Sequence, residues 1–197
     1  MDQQLVDLSM QLNSYAAVKS RFITARQSET NYIEFKEKHD SRSPDLHQDD
    51  SKNFAKTLSA FSNSDGGLLV WGIRTRRIDG RDVVWTIKPI VRVEEFAERL
   101  RDSLLNALMP QNHLVQIEAI KNRVGNGFVK CLIPDGTLPP YRSMFDREYW
   151  TRLDDRSVKL EHYHIRDLMQ RHALPDLRFM VISQGRDVGA DGDIELK

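Results

Sequence analysis

Cysteine is nearly absent: Cys131 stands alone among 197 residues. An intrachain disulfide framework is thereby excluded, and such usage fits a reducing compartment. Cys131 lies in the apolar stretch "GFVKCLIP" and reads as a buried strand residue, not a nucleophile. Long hydrophobic runs are missing too. Nothing approaches the roughly 18 consecutive apolar residues of a membrane-spanning helix, and the first residues lack the basic-then-apolar order of a secretory leader. The expectation is a cytoplasmic protein with no membrane partner. Net charge is also lacking, with 29 Lys+Arg against 29 Asp+Glu. A global field therefore does not announce nucleic acid, and a local patch has to do so. There is no internal repeat, no low-complexity segment, and no glycine loop ending in Gly-Lys-Ser/Thr, so an ATPase finds no support.

What is present is an ordinary globular composition, 40% hydrophobic and 29% charged. It suits one domain with a real core. Leu5, Leu8, Leu12, Tyr15 and Val18 recur at helical spacing and predict one amphipathic helix within residues 3–22. "NYIEFK" alternates: Ile33 and Phe35 face one way, Tyr32, Glu34 and Lys36 the other. A polar loop, 37–50, precedes a helix carrying Phe54, Leu58 and Phe61, for which Asp50 or Ser51 offers an N-cap. "LLVWGI" reads as a strand buried on both faces. "RTRRIDGRD" reads as a basic turn leading to the strand "VVWTIKPI". A helix with Phe96, Leu100, Leu104 and Leu108 follows and ends at Pro110. Then come two strands joined at "RVGNG", the rigid loop "PDGTLPPYRS", a strand and turn in "REYWTRLDDRSVKL", and a short helix in "EHYHIRDLMQRH". Without regular βαβ alternation, the expected class is α+β: a mixed or antiparallel sheet with helices packed against it. The expected organisation is an N-terminal helix at 1–22, a domain at 23–175, and a polar tail or the start of a further domain at 176–197.

Three constellations can carry chemistry. The first is Glu29, Glu34 and Lys36 in "ETNYIEFKEK". Two carboxylates can share Mg²⁺ or Mn²⁺, which activates water and stabilises a leaving oxygen in phosphodiester hydrolysis. Lys36 shares a strand face with Glu34 and can steady an anionic transition state. Glu29 and Glu34 fall on opposite faces of an uninterrupted strand, so their convergence needs a bend or bulge within "ETNY", which the preceding turn-like "QSET" permits. Otherwise Glu34 and Lys36 are a solvated strand face. The second is "AFSNSDGG", where Asn63, Gly66 and Gly67 offer either a backbone nest for phosphate or simply a helix stop and tight turn. The third is basic. Arg74, Arg76, Arg77 and Arg81 cluster in one short stretch, and Arg142, Arg147, Arg152 and Arg156 interleave with Tyr141, Tyr149 and Trp150. Arginines contact phosphates and neighbouring aromatics stack bases; the alternatives are a solvated turn and core aromatics. His39 and His47 in the polar loop offer accessory metal or acid–base groups, while His162 and His164 do not share a helix face.

Taken in order, "ETNYIEFK" and a helix ending "AFSNSDGGLLVWGI" resemble the Schlafen-type AlbA-like family, formerly grouped as divergent AAA domains. The helix ending at Pro110, "PPYRS" and "YWTRLDDRSVKL" look similar too, so the resemblance spans roughly Glu29 to Arg171. It implies an α+β domain that interacts with nucleic acid, RNA or DNA. Bacterial members are often described as DNA- or ATP-binding and front longer proteins. In animal Schlafens the domain is an endoribonuclease for structured RNA, notably transfer RNA, whose metal-binding acids are similar in placement to Glu29 and Glu34. The family's third acid follows the glycine strand, and this sequence has Arg74 there. A surviving metal site would need waters, Asp65, Asp79 or Asp82. The resemblance thus implies either a Mg²⁺- or Mn²⁺-dependent endonuclease using Glu29, Glu34 and Lys36, or a non-catalytic sensor of nucleic acid or nucleotide in a defence or stress protein. Both leave room for a homo-oligomer and for an effector domain beyond Lys197.

Overall fold

The computed structural model describes residues 3–171. His172 and the polar stretch 176–197 lie outside the described residues. The elements are α1 (Gln3–Gln11), α2 (Tyr15–Val18) followed by a π-helical stretch (Lys19–Thr24), β1 (Ile33–Lys36), α3 (Gln48–Ser62), β2 (Gly67–Trp71), β3 (Ile73–Ile78) and β4 (Arg81–Ile87). They continue with α4 (Val93–Ala107), β5 (Leu108–Met109), β6 (Gln116–Lys121), β7 (Gly127–Ile133), β8 (Arg142–Ser143), β9 (Trp150–Leu153), β10 (Arg156–Lys159) and α5 (His162–Arg171).

The central sheet has the order β1-β2-β7-β6. β1 runs parallel to β2, and the remaining pairings are antiparallel. Every residue of β2 is buried, because alternate side chains serve two cores. Leu69 and Trp71 pack with Phe54, Leu58, Phe61, Phe96 and Leu100 of α3 and α4. Leu68 and Val70 pack with Leu5, Leu12, Val18 and Phe22 of the N-terminal helices, joined by Ile33 and Phe35 of β1. The result is an α+β fold of three layers: N-terminal helices, mixed sheet, then α3 with α4.

Three local expectations need correction. The single helix expected within 3–22 breaks into segments, because Ser14 is extended and its Oγ accepts the Ala17 N–H at 3.2 Å. A serine that caps starts a new helix instead of continuing the old one. The α3 cap is neither Asp50 nor Ser51 but His47, whose Nδ1 accepts the Asp49 N–H at 3.2 Å. Finally, "RTRRI" is a strand and not a turn. Gly72, at φ +95, separates it from β2, and the reversal is confined to Asp79 (φ 47) and Gly80 (φ 81). Two consecutive positive φ values are what a two-residue hairpin turn demands. β3 and β4 thus form their own two-stranded arm.

Candidate nucleic-acid interface and the acidic strand

Glu29 and Glu34 do come together. The Glu29 backbone N–H bonds Asp82 O at 2.8 Å, which ties the segment before β1 to β4. Its side chain then folds back, with Oε1 accepting the Phe35 N–H at 3.0 Å. Thr30 and Ile33 pair across the intervening tight turn, the bend that convergence required. Burial, first, and then the Glu34 charge push the Glu29 carboxyl up to about 8, so it holds its proton at neutral pH. Asp82 adds a smaller push in the same direction.

Glu34 is buried and flanked by cations. Lys36 Nζ donates to its Oε1, and Arg152 Nη1 donates to its Oε2. Arg152, on β9, also donates from Nη2 to Thr30 O at 2.8 Å and lies over the Phe61 ring at 5.2 Å. With its side chain 1% exposed, Arg152 is not a surface phosphate contact, contrary to the sequence expectation. Half-buried Lys56 stands close enough to this group for its ammonium to be held below the usual lysine range, by burial first and then by Lys36. Both Glu34 oxygens are thus already neutralised by side chains. Among the described residues no third acid closes on Glu29 and Glu34, and this arrangement does not fit a resident Mg²⁺ or Mn²⁺. Arg74, in the place of the third acid, is exposed and grips Glu37 with two donors, one from Nε and one from Nη2.

Asn63, Gly66 and Gly67 are used for packing, not as an open phosphate nest. Asn63 Oδ1 accepts the Tyr141 N–H at 2.6 Å, and its Nδ2 donates to Tyr141 O at 2.8 Å and Trp150 O at 2.9 Å. A Cβ on Gly67 would lie 2.2 Å from the Phe61 ring, and one on Gly66 would lie 2.8 Å from Ile133 O. These glycines let α3 turn tightly into β2.

The arm carries four exposed arginines, Arg74, Arg76, Arg77 and Arg81. Arg74 and Arg76 share one face of β3, while Arg77 donates to Gly80 O at 2.7 Å. The β3–β4 register steps from Arg74↔Thr86 to Thr75↔Val84, so Trp85 is the extra residue of a bulge. Bulges re-aim side chains. Trp85 is 49% exposed, and the Arg76 guanidinium lies 5.1 Å from its ring centroid. The sequence reading placed Trp85 in a strand and missed it, although an aromatic nine residues after Arg76 on the return strand was the available signal. Arg81 is exposed and, with Glu29, Asp79, Asp154 and Asp155, lines a cleft of about 550 Å³ between the tips of the two hairpins.

The second basic set does not assemble into one surface. Arg142 is half-buried beside Met144 and Arg152 is buried, leaving Arg147 and Arg156 exposed. Tyr141 belongs to the core. Trp150 is half-buried, hydrogen-bonded to Asp146 at 3.1 Å and covered by Lys56 at 4.4 Å. His162 and His164 are exposed on α5.

A mixed sheet with helices on both faces, an acidic first strand and a basic hairpin arm define the class. Residues 29–161 match the family described as Schlafen, AlbA_2, and the chain belongs to that family. No curated protein matches it. Among solved structures, the DIP2311 protein from Corynebacterium diphtheriae is similar at a TM-score of 0.53 and 16% identity, with 86% of this chain and 29% of that one covered. The chain therefore spans under a third of that protein's length, and the likeness is one of fold. The N-terminal domain of a RecG-related protein from Nitrosomonas europaea gives a TM-score of 0.43 and 18% identity over 62% of this chain and 73% of that domain. Among the described residues no helix is long and apolar enough to cross a membrane.

Proposed function

We propose that this domain binds single-stranded nucleic acid through its β3–β4 arm and acts as a recognition module without metal-dependent cleavage of its own. Arg76 over the exposed Trp85 carries the proposal. An exposed indole stacks an unpaired base whatever its identity, and an adjacent guanidinium supplies phosphate contact and cation–π attraction. Arg81 on the same hairpin adds positive charge from which counterion release is drawn, and Arg74 and Arg77 add theirs where a phosphate displaces Glu37 and Asp82. Membership of the Schlafen AlbA_2 family supports a nucleic-acid partner. The absence of cleavage rests on Glu34, whose oxygens are held by Lys36 and Arg152.

A second reading, a Mg²⁺- or Mn²⁺-dependent endonuclease, is favoured by one observation. The Glu29 carboxyl is pushed to about 8 partly by Glu34, and a cation between two such groups would relieve that repulsion. Such a cation would supply an activated water. Its binding would require Glu29 to lose its proton and Arg152 to release Glu34.

Labelled single-stranded RNA and DNA, incubated with the chain and with its Glu34→Ala variant, with and without Mn²⁺, separate the two readings. Intact strands on a denaturing gel that still shift on a native gel support the recognition module. Manganese-dependent cutting that is lost in the variant overturns it in favour of the nuclease.

A further inference from the structure

We propose a second, independent site: His39, His47 and Asp49 bind a zinc-class transition-metal dication. Among the described residues these are the three metal-capable side chains whose ligand atoms all lie within 4.8 Å of one another. His39 Nδ1 stands 3.2 Å from Asp49 Oδ2, and His47 Nδ1 stands 3.5 Å from the same oxygen. A tetrahedral ion with bonds of about 2.0–2.1 Å has ligand–ligand edges of about 3.3–3.4 Å. The two separations bracket that edge.

The convergence is built by the fold. Asp50, 1% exposed and adjacent to Asp49, accepts the His39 N–H at 2.8 Å through Oδ1 and the His47 N–H at 3.2 Å through Oδ2. One buried carboxylate thus fixes the backbone of both histidines. Buried Lys38 sits 3.5 Å from that carboxylate and donates to Asp40 O at 3.0 Å and Asp45 O at 2.6 Å, which stitches the loop beneath them. The two imidazoles lie parallel, their centroids 3.7 Å apart. An entering ion tilts the rings so that their lone pairs meet. It also takes over the lone pair that His47 Nδ1 lends to the Asp49 N–H.

Two imidazoles and one carboxylate suit zinc, cobalt, nickel or copper and not magnesium or calcium, which prefer all-oxygen shells. The side chains are 48%, 48% and 63% exposed, so water completes the coordination. This inference rests on neither reading of Glu29 and Glu34.

Tag-free chain is titrated with Co²⁺ and followed by visible absorption, then back-titrated with Zn²⁺. One equivalent of Co²⁺ with a tetrahedral or five-coordinate ligand-field band, displaced by Zn²⁺, is expected. Zinc also raises the thermal midpoint. His39→Ala loses the band, and zinc no longer raises its midpoint above its own metal-free value, which is the reference because the variant also loses the ring stacked on His47 and set against Asp49. Glu34→Gln retains the band. Absence of a one-equivalent step in the parent, or an undiminished band in both His39→Ala and Asp49→Asn, overturns the proposal.

Discussion

Arg152 on β9 donates from Nη1 to Glu34 on β1, across 118 residues of chain, with both side chains buried. The bond fastens the β9–β10 hairpin to the edge of the central sheet. It also decides what the acidic strand is, because a carboxylate held by a guanidinium and an ammonium has its charge compensated without a metal. Removing one member of a buried pair costs far more than the pair contributes, since the survivor is left charged and dry. Arg152→Met leaves Glu34 with Lys36 alone and takes a donor from the Thr30 carbonyl, so it is expected to destabilise the domain by about 3 kcal/mol, the lower end for a broken buried pair. Adding Glu34→Gln to that variant should recover part of the loss. Urea denaturation of the two single variants and the double variant measures both effects, and additive losses would contradict a direct pair.

Asn63 offers a second test, of a residue that the sequence left open between phosphate ligand and structural joint. Its amide satisfies both backbone groups of Tyr141 and the carbonyl of Trp150. Asn63→Ala strips the Tyr141 N–H and the Trp150 carbonyl of this amide, at about 1–3 kcal/mol for each group that water does not reach, while the Tyr141 carbonyl keeps the Ser59 hydroxyl at 2.7 Å. Stability should fall with nucleic-acid affinity unchanged at temperatures where the variant stays folded. A loss of affinity at full stability would reassign Asn63 to ligand binding.

Much of the fold was legible because it follows from burial. The apolar run "LLVWGI" reads as a two-faced strand because Leu68 and Val70 enter one core while Leu69 and Trp71 enter the other. The arm was misread for the same reason. β3 is mostly exposed, so its residues carry no burial alternation, and arginines at consecutive positions look like a turn. The helix break was hidden because both segments bury the same stripe, through Leu5, Leu12 and Val18. At the site, Glu34 and Lys36 were legible as neighbours on one strand face. The bend that returns Glu29 was foreseen only as a condition. That Arg152 would turn inward was not legible at all, because its partner lies 118 residues away and charge alone does not say which arginine is buried.

Glu29 makes stability depend on pH. Its carboxyl ordinarily titrates near 4.5 and in the folded chain is pushed to about 8, chiefly by burial. The folded state therefore binds this proton more tightly than the unfolded state does. The contribution is fully present below the unfolded value and is lost as pH rises through the folded one. Between those two values it falls by up to about 1.4 kcal/mol per pH unit. Glu29→Gln keeps an oxygen to accept the Phe35 N–H and removes the titration. The variant should be flatter in urea midpoint than the parent between about pH 5 and about pH 8, and more stable at the alkaline end. Parallel pH profiles would mean that Glu29 titrates normally.

The arm supplies the prediction closest to function, because its residues are exposed and can be changed without disturbing the core. Trp85 occupies the bulge and Arg76 lies over its ring, so each should contribute to binding by a different physical route. Stacking is a contact between faces and depends little on salt. Trp85→Ala should weaken single-stranded binding by about 1–3 kcal/mol with little change in the salt slope. Phosphate contact acts through released counterions, so Arg76→Gln should lower the slope of log affinity against log salt by about 0.7. Fluorescence anisotropy with a labelled oligonucleotide at several salt concentrations reads both quantities. Double-stranded competitors, whose bases are already stacked, should compete less well than single strands of the same length. If both variants bind as the parent does, the arm is not the interface. If Arg76→Gln alone is impaired, it contacts phosphate without base stacking, and the preference for single strands should vanish with it.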